Sequence, residues 1–501
     1  MRNLGVIELG TTYVKLEFFN ISDNETFIIT EREQAEIQIA NDIVNGEMIK
    51  QENTNSLVAL LKNYKAKCAA NQVSEIFAVA SDEYFEAKNQ RSFFDEIFSH
   101  TGVKFNILTG EEVTNHLYTA FINSLDCPKG LIVSVDGTNT KLFAYNRRNF
   151  LNRMTIDMGG INLAEKFADK KCTIDEMTEA FAKKIADFSL FADLDAETQI
   201  VGTGDAFLSL ARLSQKVKRY QFKREHGYQL TSQDFEKVYE FVKTLEVDKT
   251  KRLKGISNQR ADVLMANIAI IKAIIDASKI SRIIISENGI ADGIVLNKAN
   301  PITAEKPLSD VLGYSLECQN SFFKNSTLEN TNNVYNMSMI LYRQLKVLHK
   351  LPRNYVKVLR IASYFADCGK RISAVNYCRK GFDIVLNSDI FGVAHHEQIL
   401  AAFVVACQYL DDFSMTDWVR YNAILTDVDL EAVRKLAVIV RLASKLDAYG
   451  VGRVKDISCD ILGDSVIMKT IVETPADLEV REAMTVAKDF AKAFKKHLEV
   501  L

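Results

Sequence analysis

The chain opens on an apolar run at residues 5–9 that meets Gly10-Thr11-Thr12, after which Val14, Leu16 and Phe18 alternate with Lys15 and Glu17. Period-two alternation on either side of a Gly/Thr turn predicts a strand, a tight turn and a returning strand. The same pattern recurs near residue 130, where apolar runs at 131–135 and 142–145 flank Gly137-Thr138-Asn139-Thr140. One supersecondary unit repeated at domain spacing predicts two similar lobes. Near the end, DSVIMKTIV (residues 464–472) reads as a strand, and a long amphipathic helix is expected from about residue 478 to 498. The chain carries only 5 prolines, which fits a helix-rich architecture.

At 501 residues the chain is too long for one ordinary domain. Its 47% hydrophobic and 25% charged residues are the balance of a globular protein. A net charge of -3 gives no basic field for DNA or an anionic membrane. No apolar stretch reaches the length of a membrane span. The opening MRNLGVIELG lacks a signal-peptide core, so the expected location is the cytoplasm. The 8 cysteines, Cys172 among them, show no CxxC spacing, which argues against a zinc ribbon and for reduced thiols.

Turns rich in Gly, Ser and Thr present N–H groups and hydroxyls to a phosphate. Two such turns facing one cleft would grip a phosphate chain from both sides; ordinary hairpin turns use the same residues. The candidate ligand residues are Glu8, Gly10, Thr11 and Thr12 from the first turn, and Asp136, Gly137, Thr138, Asn139 and Thr140 from the second. Gly202, Thr203 and Gly204, in VGTGDAFLSLARL (residues 201–213), join them.

Several segments, in order, resemble landmarks of the Ppx/GppA family of exopolyphosphatases and guanosine pentaphosphate phosphohydrolases, within the actin-like ATPase superfamily. AVASDEYFEAKN (78–89) is similar to A-T-S-A-x-R-x-A-x-N, and ILTGEEVTNHLY (107–118) to S-G-x-E-E-A-x-L-x-Y. VSVDGTNTKL (133–142) stands where the family has V-D-I-G-G-G-S-T-E-L. MTIDMGGINLAEKF, the VGTG segment, HGYQL, RAD (260–262) and ISENGIADGIVL follow as later landmarks. ASYFADCGKRIS (362–373) and FGVAHHEQILAA (391–402) are similar to the family's HD-like helical domain. The resemblance implies an α/β fold of two actin-like (ribonuclease H-like) lobes, residues 1–125 and 126–303. A helical HD-like domain, 304–455, and a small C-terminal α/β domain, 456–501, would follow.

The resemblance also marks what is missing. The family's catalytic Glu position is Val113, which cannot take a proton; Glu112 is adjacent, but on a helix it points about 100° away. The Asp and Glu that bracket the second loop are Ser134 and Lys141, which removes magnesium ligands. Two loop glycines become Asp136 and Thr138, though Asp136 could replace Ser134 if the loop re-registers. A phosphate-binding Arg becomes Phe85, a glycine becomes Asp205, another Arg becomes Ala291, and the HD pair becomes Ala366-Asp367. Backbone-shaping residues such as Gly10, Gly204, Gly289 and Gly293 persist. His395, His396 and Glu397 read as a helix-terminal polar patch, His116 as a polar helix residue, and KVKRYQFKREH (216–226) as a solvated basic face.

The reading expected from this pattern is a family member without turnover. It would bind a phosphorylated ligand, polyphosphate or a guanine nucleotide, or a protein, and act as a regulator, with no metal and no cofactor. One alternative is an active magnesium-dependent phosphohydrolase using Glu112, Glu8 or Asp136 in displaced roles. Another is a structural subunit, homodimeric through its helical domain.

Overall fold

A computed structural model describes residues 2–44, 48–168, 173–186, 188–192, 194–245, 258–322 and 328–501, with backbone alone at 44, 258–262, 322, 328 and 412. Cys172 and the side chains of Arg260–Asp262 lie outside the described set. The chain divides into two compact units, Met1–Ser309 and Asp310–Leu501.

The first unit holds two mixed sheets. In one, β1 (Arg2–Leu9), β2 (Tyr13–Ile21) and β3 (Phe27–Glu36) form an antiparallel meander, and β4 (Glu75–Ala80) and β5 (Phe105–Ile107) extend it in parallel, in the order β3-β2-β1-β4-β5. In the other, β6 (Lys129–Val135), β7 (Thr140–Asn146) and β8 (Asn149–Ile156) repeat the meander. β9 (Gln199–Thr203) and β11 (Arg282–Ile285) run parallel beyond it, with β10 (Gln229–Thr231) antiparallel at the edge. The two sheets therefore share one arrangement over five strands, with the meander the repeated hairpin predicts, and the second sheet adds β10 at its edge.

Burial explains why these runs become strands. The inner strands β1 and β6 are covered on both faces, so Val6, Ile7, Leu131 and Val133 are fully buried and the sequence reads as a continuous apolar run. The helix Gly110–Ile122 packs against Ile290–Ala299. A Cβ on Gly293 would lie 2.1 Å from the carbonyl oxygen of His116, so only glycine allows that approach. Val113, Leu117, Ile132, Val201 and Ile290 join in an apolar cluster shared by both sheets.

In the second unit, helices from Val311–Phe322 to Asp427–Leu446 precede a three-stranded sheet of β12 (Val454–Leu462), β13 (Ser465–Val472) and β14 (His497–Val500). The long C-terminal helix expected at 478–498 is instead two helices, Asp477–Met484 and Ala487–Phe494, followed by a strand. Lys495 adopts a left-handed φ of 57° that ends the second helix, and His497 onward pairs in parallel with β13. Amphipathicity alone could not locate that break, because Val486, Phe490 and Leu498 stay buried either way. Ala366 is buried and Asp367 pairs with Lys370 at 2.7 Å. His396 Nε2 lies 3.1 Å from Asp429 Oδ2, and Asp429 caps the helix Asp427–Leu446 while accepting from Tyr355. Among the described residues no helix is long and apolar enough to cross a membrane.

Candidate functional site

Both hairpin turns close with the same bond: Gly10 N donates to Tyr13 O at 3.0 Å, and Asp136 N to Asn139 O at 2.9 Å. The strand registers agree, with Glu8 opposite Lys15 and Ser134 opposite Lys141. Gly10 therefore corresponds to Asp136, one position from the Gly10–Gly137 match the sequence suggests. Lys15 and Lys141 fall at equivalent places on the two return strands, and both line a cleft of about 650 Å³ within the first unit.

Glu83 sits between the turns, on the short helical turn Asp82–Glu86 after β4. Its carboxylate accepts from Thr11 Oγ1 at 3.0 Å, from Thr138 N at 3.3 Å, from Ser81 Oγ at 3.4 Å and from the Thr138 hydroxyl. Groups expected to face a phosphate are therefore already bonded to an internal anion. Glu83 is only 4% exposed, and burial, then the charge of Asp136, raises its pKa.

Lys141 is the matching internal cation. Its ammonium lies 3.1 Å from Asp82 Oδ1, 3.2 Å from Asp136 Oδ2 and 2.8 Å from Asn139 Oδ1, and the residue is 3% exposed. Burial alone would favour the neutral amine; Asp136, then Asp82 and Glu83, more than reverse that and hold the pKa above its ordinary value. The residues do not fit a divalent metal here. An ammonium occupies the centre of the oxygen set, and among the described residues no group of three or more His, Cys, Asp or Glu could hold one.

The structure disperses the other candidates. Glu112 closes a capping box: Thr109 N donates to its Oε2 at 2.8 Å and Thr109 Oγ1 at 2.9 Å, while Glu112 N donates to Thr109 Oγ1 at 3.3 Å. It is exposed and does not line the cleft; Val113 does, as part of the apolar cluster. Glu8 is buried, takes the Tyr13 hydroxyl at 2.5 Å and Ala291 N at 3.4 Å, and lines the cleft with Gly10, Thr11, Thr12 and Gly137. Thr140 donates to Met158 O at 2.8 Å. Gly202 lies under the Phe207 ring, whereas Thr203 and Gly204 start a helix and line the cleft. Phe85 is exposed and outside the cleft.

Sequence reasoning missed Glu83, Lys15, Asp82 and Glu287. A signal existed for the first: Glu83 is an acid where the compared segment has alanine. Glu287, on the cleft wall, shares a hydrogen bond with Glu225, which also accepts from Arg212 Nε at 2.7 Å. Burial, then that bond, pushes the Glu287 pKa up to about 7. The folded state thus holds a proton that the unfolded chain releases near the ordinary value of 4.5, so this contribution is full below about pH 4.5 and lost as pH rises through about 7. Glu287→Gln keeps a donor for Glu225 without the titration. It is expected to flatten the melting temperature between pH 5.5 and 8 and to stabilise the protein at pH 8 by about 1–3 kcal/mol. An unchanged pH slope in calorimetry would contradict this.

A model of the Ppx/GppA phosphatase family matches residues 20–301, more than half of the chain. The chain belongs to that family. Among solved structures, the fold is similar to the Aquifex aeolicus Ppx/GppA enzyme, with a TM-score of 0.51 and 21% identity over 59% of this chain and 99% of that one. It is also similar to an exopolyphosphatase from Cytophaga hutchinsonii, with a TM-score of 0.55 and 16% identity over 60% and 98%. A bifunctional 3-dehydroquinate synthase/phosphatase of Fusobacterium nucleatum is 20% identical over 310 residues, 58% of this chain; the chain spans about half of that relative's length, 46%. The structural matches, at these identities, carry the fold of the N-terminal lobes alone. Val113, expected at the family's catalytic Glu position, lies in the apolar core, and Lys141, expected where the family closes the second loop with Glu, is a buried ammonium.

Proposed function

We propose that this chain is a catalytically silent Ppx/GppA member that acts by binding and regulation. The position of Lys141 carries the reading. Hydrolysis of a phosphoanhydride needs an oriented water, a carboxylate to take its proton, and a metal to screen the phosphates. Lys141 fills the space between Asp82 and Asp136 with a cation that has no open coordination position. Val113 offers no base, and Glu112 is bonded to its own helix cap. In the same reading the helical unit is HD-like and pairs two copies; a light-scattering mass of one chain would refute that pairing.

The direct test incubates the pure protein with long-chain polyphosphate, or guanosine pentaphosphate, and magnesium, and measures released phosphate. The expected result is no release above buffer. Turnover in the ordinary enzyme range, ~1–10³ s⁻¹, would sink the proposal. Val113→Glu is expected to remain silent, since Lys141 still occupies the loop; strong rescue by that change would show an otherwise intact site.

A further inference from the structure

Strand β2 alternates apolar and polar residues, yet its polar face is not left to solvent. Glu17 is 5% exposed and stands in register opposite Arg32 on β3. The Arg32 guanidinium forks: Nε lies 3.0 Å from Glu17 Oε1, and Nη2 lies 2.7 Å from Asp292 Oδ1. Asp292 belongs to the helix Ile290–Ala299, and its other oxygen, Oδ2, accepts from Gly289 N at 2.7 Å at the start of that helix. One residue earlier, Ala291 N donates to Glu8 Oε2 at 3.4 Å. Arg32 and Glu8 thus tie the first turn of this helix to the first sheet. The same segment builds part of the cleft wall, through Glu287, Asn288, Gly289 and Ile290.

Glu17 differs from Asp292 in one respect. Its second oxygen, Oε2, is buried without a hydrogen-bond partner, whereas both oxygens of Asp292 are bonded. A buried carboxylate oxygen with no donor penalises the charged form, because the charge there is neither solvated nor hydrogen-bonded. The neighbouring charges are divided. Asp292 on the helix and Glu8 on β1 oppose ionisation, while Arg32 on β3 and Lys15 on β2 favour it. Burial outweighs them all and raises the Glu17 pKa to about 7. Glu287, just before the helix, also faces Arg32, with Glu225 and Arg224 beside it.

Lifting the first helical turn off the sheet would take Asp292 away and admit water, so Glu17 would ionise nearer its ordinary value of 4.5. Lifting therefore releases a proton to water. It is opposed most below about pH 4.5 and becomes easier as pH rises to about 7. Once ionised, Glu17 also competes with Asp292 for the single guanidinium.

We propose that Glu17, Arg32 and Asp292 form a latch that seats the first turn of the helix Ile290–Ala299 on the first sheet, and that loss of a proton from Glu17 releases this part of the cleft wall. The latch would control access to the cleft whether or not the cleft hydrolyses anything.

The test is hydrogen exchange of the full chain at about pH 5.5 and pH 8, corrected for the intrinsic pH dependence of exchange, in a Glu287→Gln background so that the neighbouring carboxyl does not titrate. Amides at 289–293 are expected to exchange about tenfold faster at the higher pH, while those of β6 keep their protection. Glu17→Gln retains an acceptor for Arg32 without the titration, and is expected to remove the pH dependence and keep exchange slow at pH 8. Arg32→Met is expected to speed exchange of the same amides at both pH values. Exchange at 289–293 that ignores pH, a pH dependence that survives Glu17→Gln, or an Arg32→Met variant that exchanges like its parent would each overturn the proposal. So would acceleration spread equally over both sheets, which would mark global unfolding in place of a local release.

Discussion

Lys141→Ala is expected to destabilise the first unit by about 3–5 kcal/mol, the usual loss when one partner of a buried ion pair is removed. The ammonium is 3% exposed and is the charge that compensates Asp82, Asp136 and Glu83. In the native chain its raised pKa contributes stability that is full below the ordinary lysine value of 10.5 and lost as pH rises through the folded value. Without it Glu83, whose pKa burial already raises, loses a nearby cation that lowers it, so its protonated form is favoured further in the fold. The deficit is therefore expected to grow between pH 5 and pH 8. Urea denaturation followed by far-ultraviolet circular dichroism reads this; tryptophan fluorescence would not, because Trp418 is the chain's one tryptophan and lies in the other unit. A loss below about 1 kcal/mol, typical of surface pairs, would show that Lys141 is solvated and the cage is open.

The hairpins were legible because period-two alternation is imposed by the backbone, and buried strands such as β1 and β6 leave an apolar run in the sequence. The repeated strand order followed from the repeated turn. That position 113 is a valine and offers no base was legible as an identity. What Val113 does instead was not, because the cluster it joins draws on Leu117, Ile132, Val201 and Ile290 from separate elements. The cage was hidden for the same reason. Asp82 and Lys141 lie far apart in the chain, and only the approach of the Asp82–Glu86 turn to the second hairpin makes them a pair. Glu112 is the converse case. The string T-G-E-E is a capping box by local rule, Thr109 followed three residues later by Glu112, and that rule already assigns its carboxylate to the helix start.

Glu83→Ala is expected to cost about 2–4 kcal/mol by leaving buried donors of both turns without an acceptor. Thr11 and Thr138 lose their shared partner, and the two turns lose the group that ties them together. Glu83→Gln keeps an acceptor oxygen and is expected to cost less. Because the folded pKa of Glu83 is raised, the native residue contributes most at low pH and less as pH rises through that value, and glutamine removes that slope. Hydrogen exchange at β1, β2, β6 and β7 reads the effect locally, with faster exchange expected in both hairpins at once. The combination with Lys141→Ala separates a network from two independent contacts. Removing Glu83 takes away one of the carboxylates that Lys141→Ala leaves uncompensated, so the double variant is expected to lose about 1–3 kcal/mol less than the two single losses together. Strict additivity would mean that the internal anion and the internal cation stabilise the turns separately, and the cleft would then be two filled sites with no charge coupling between them.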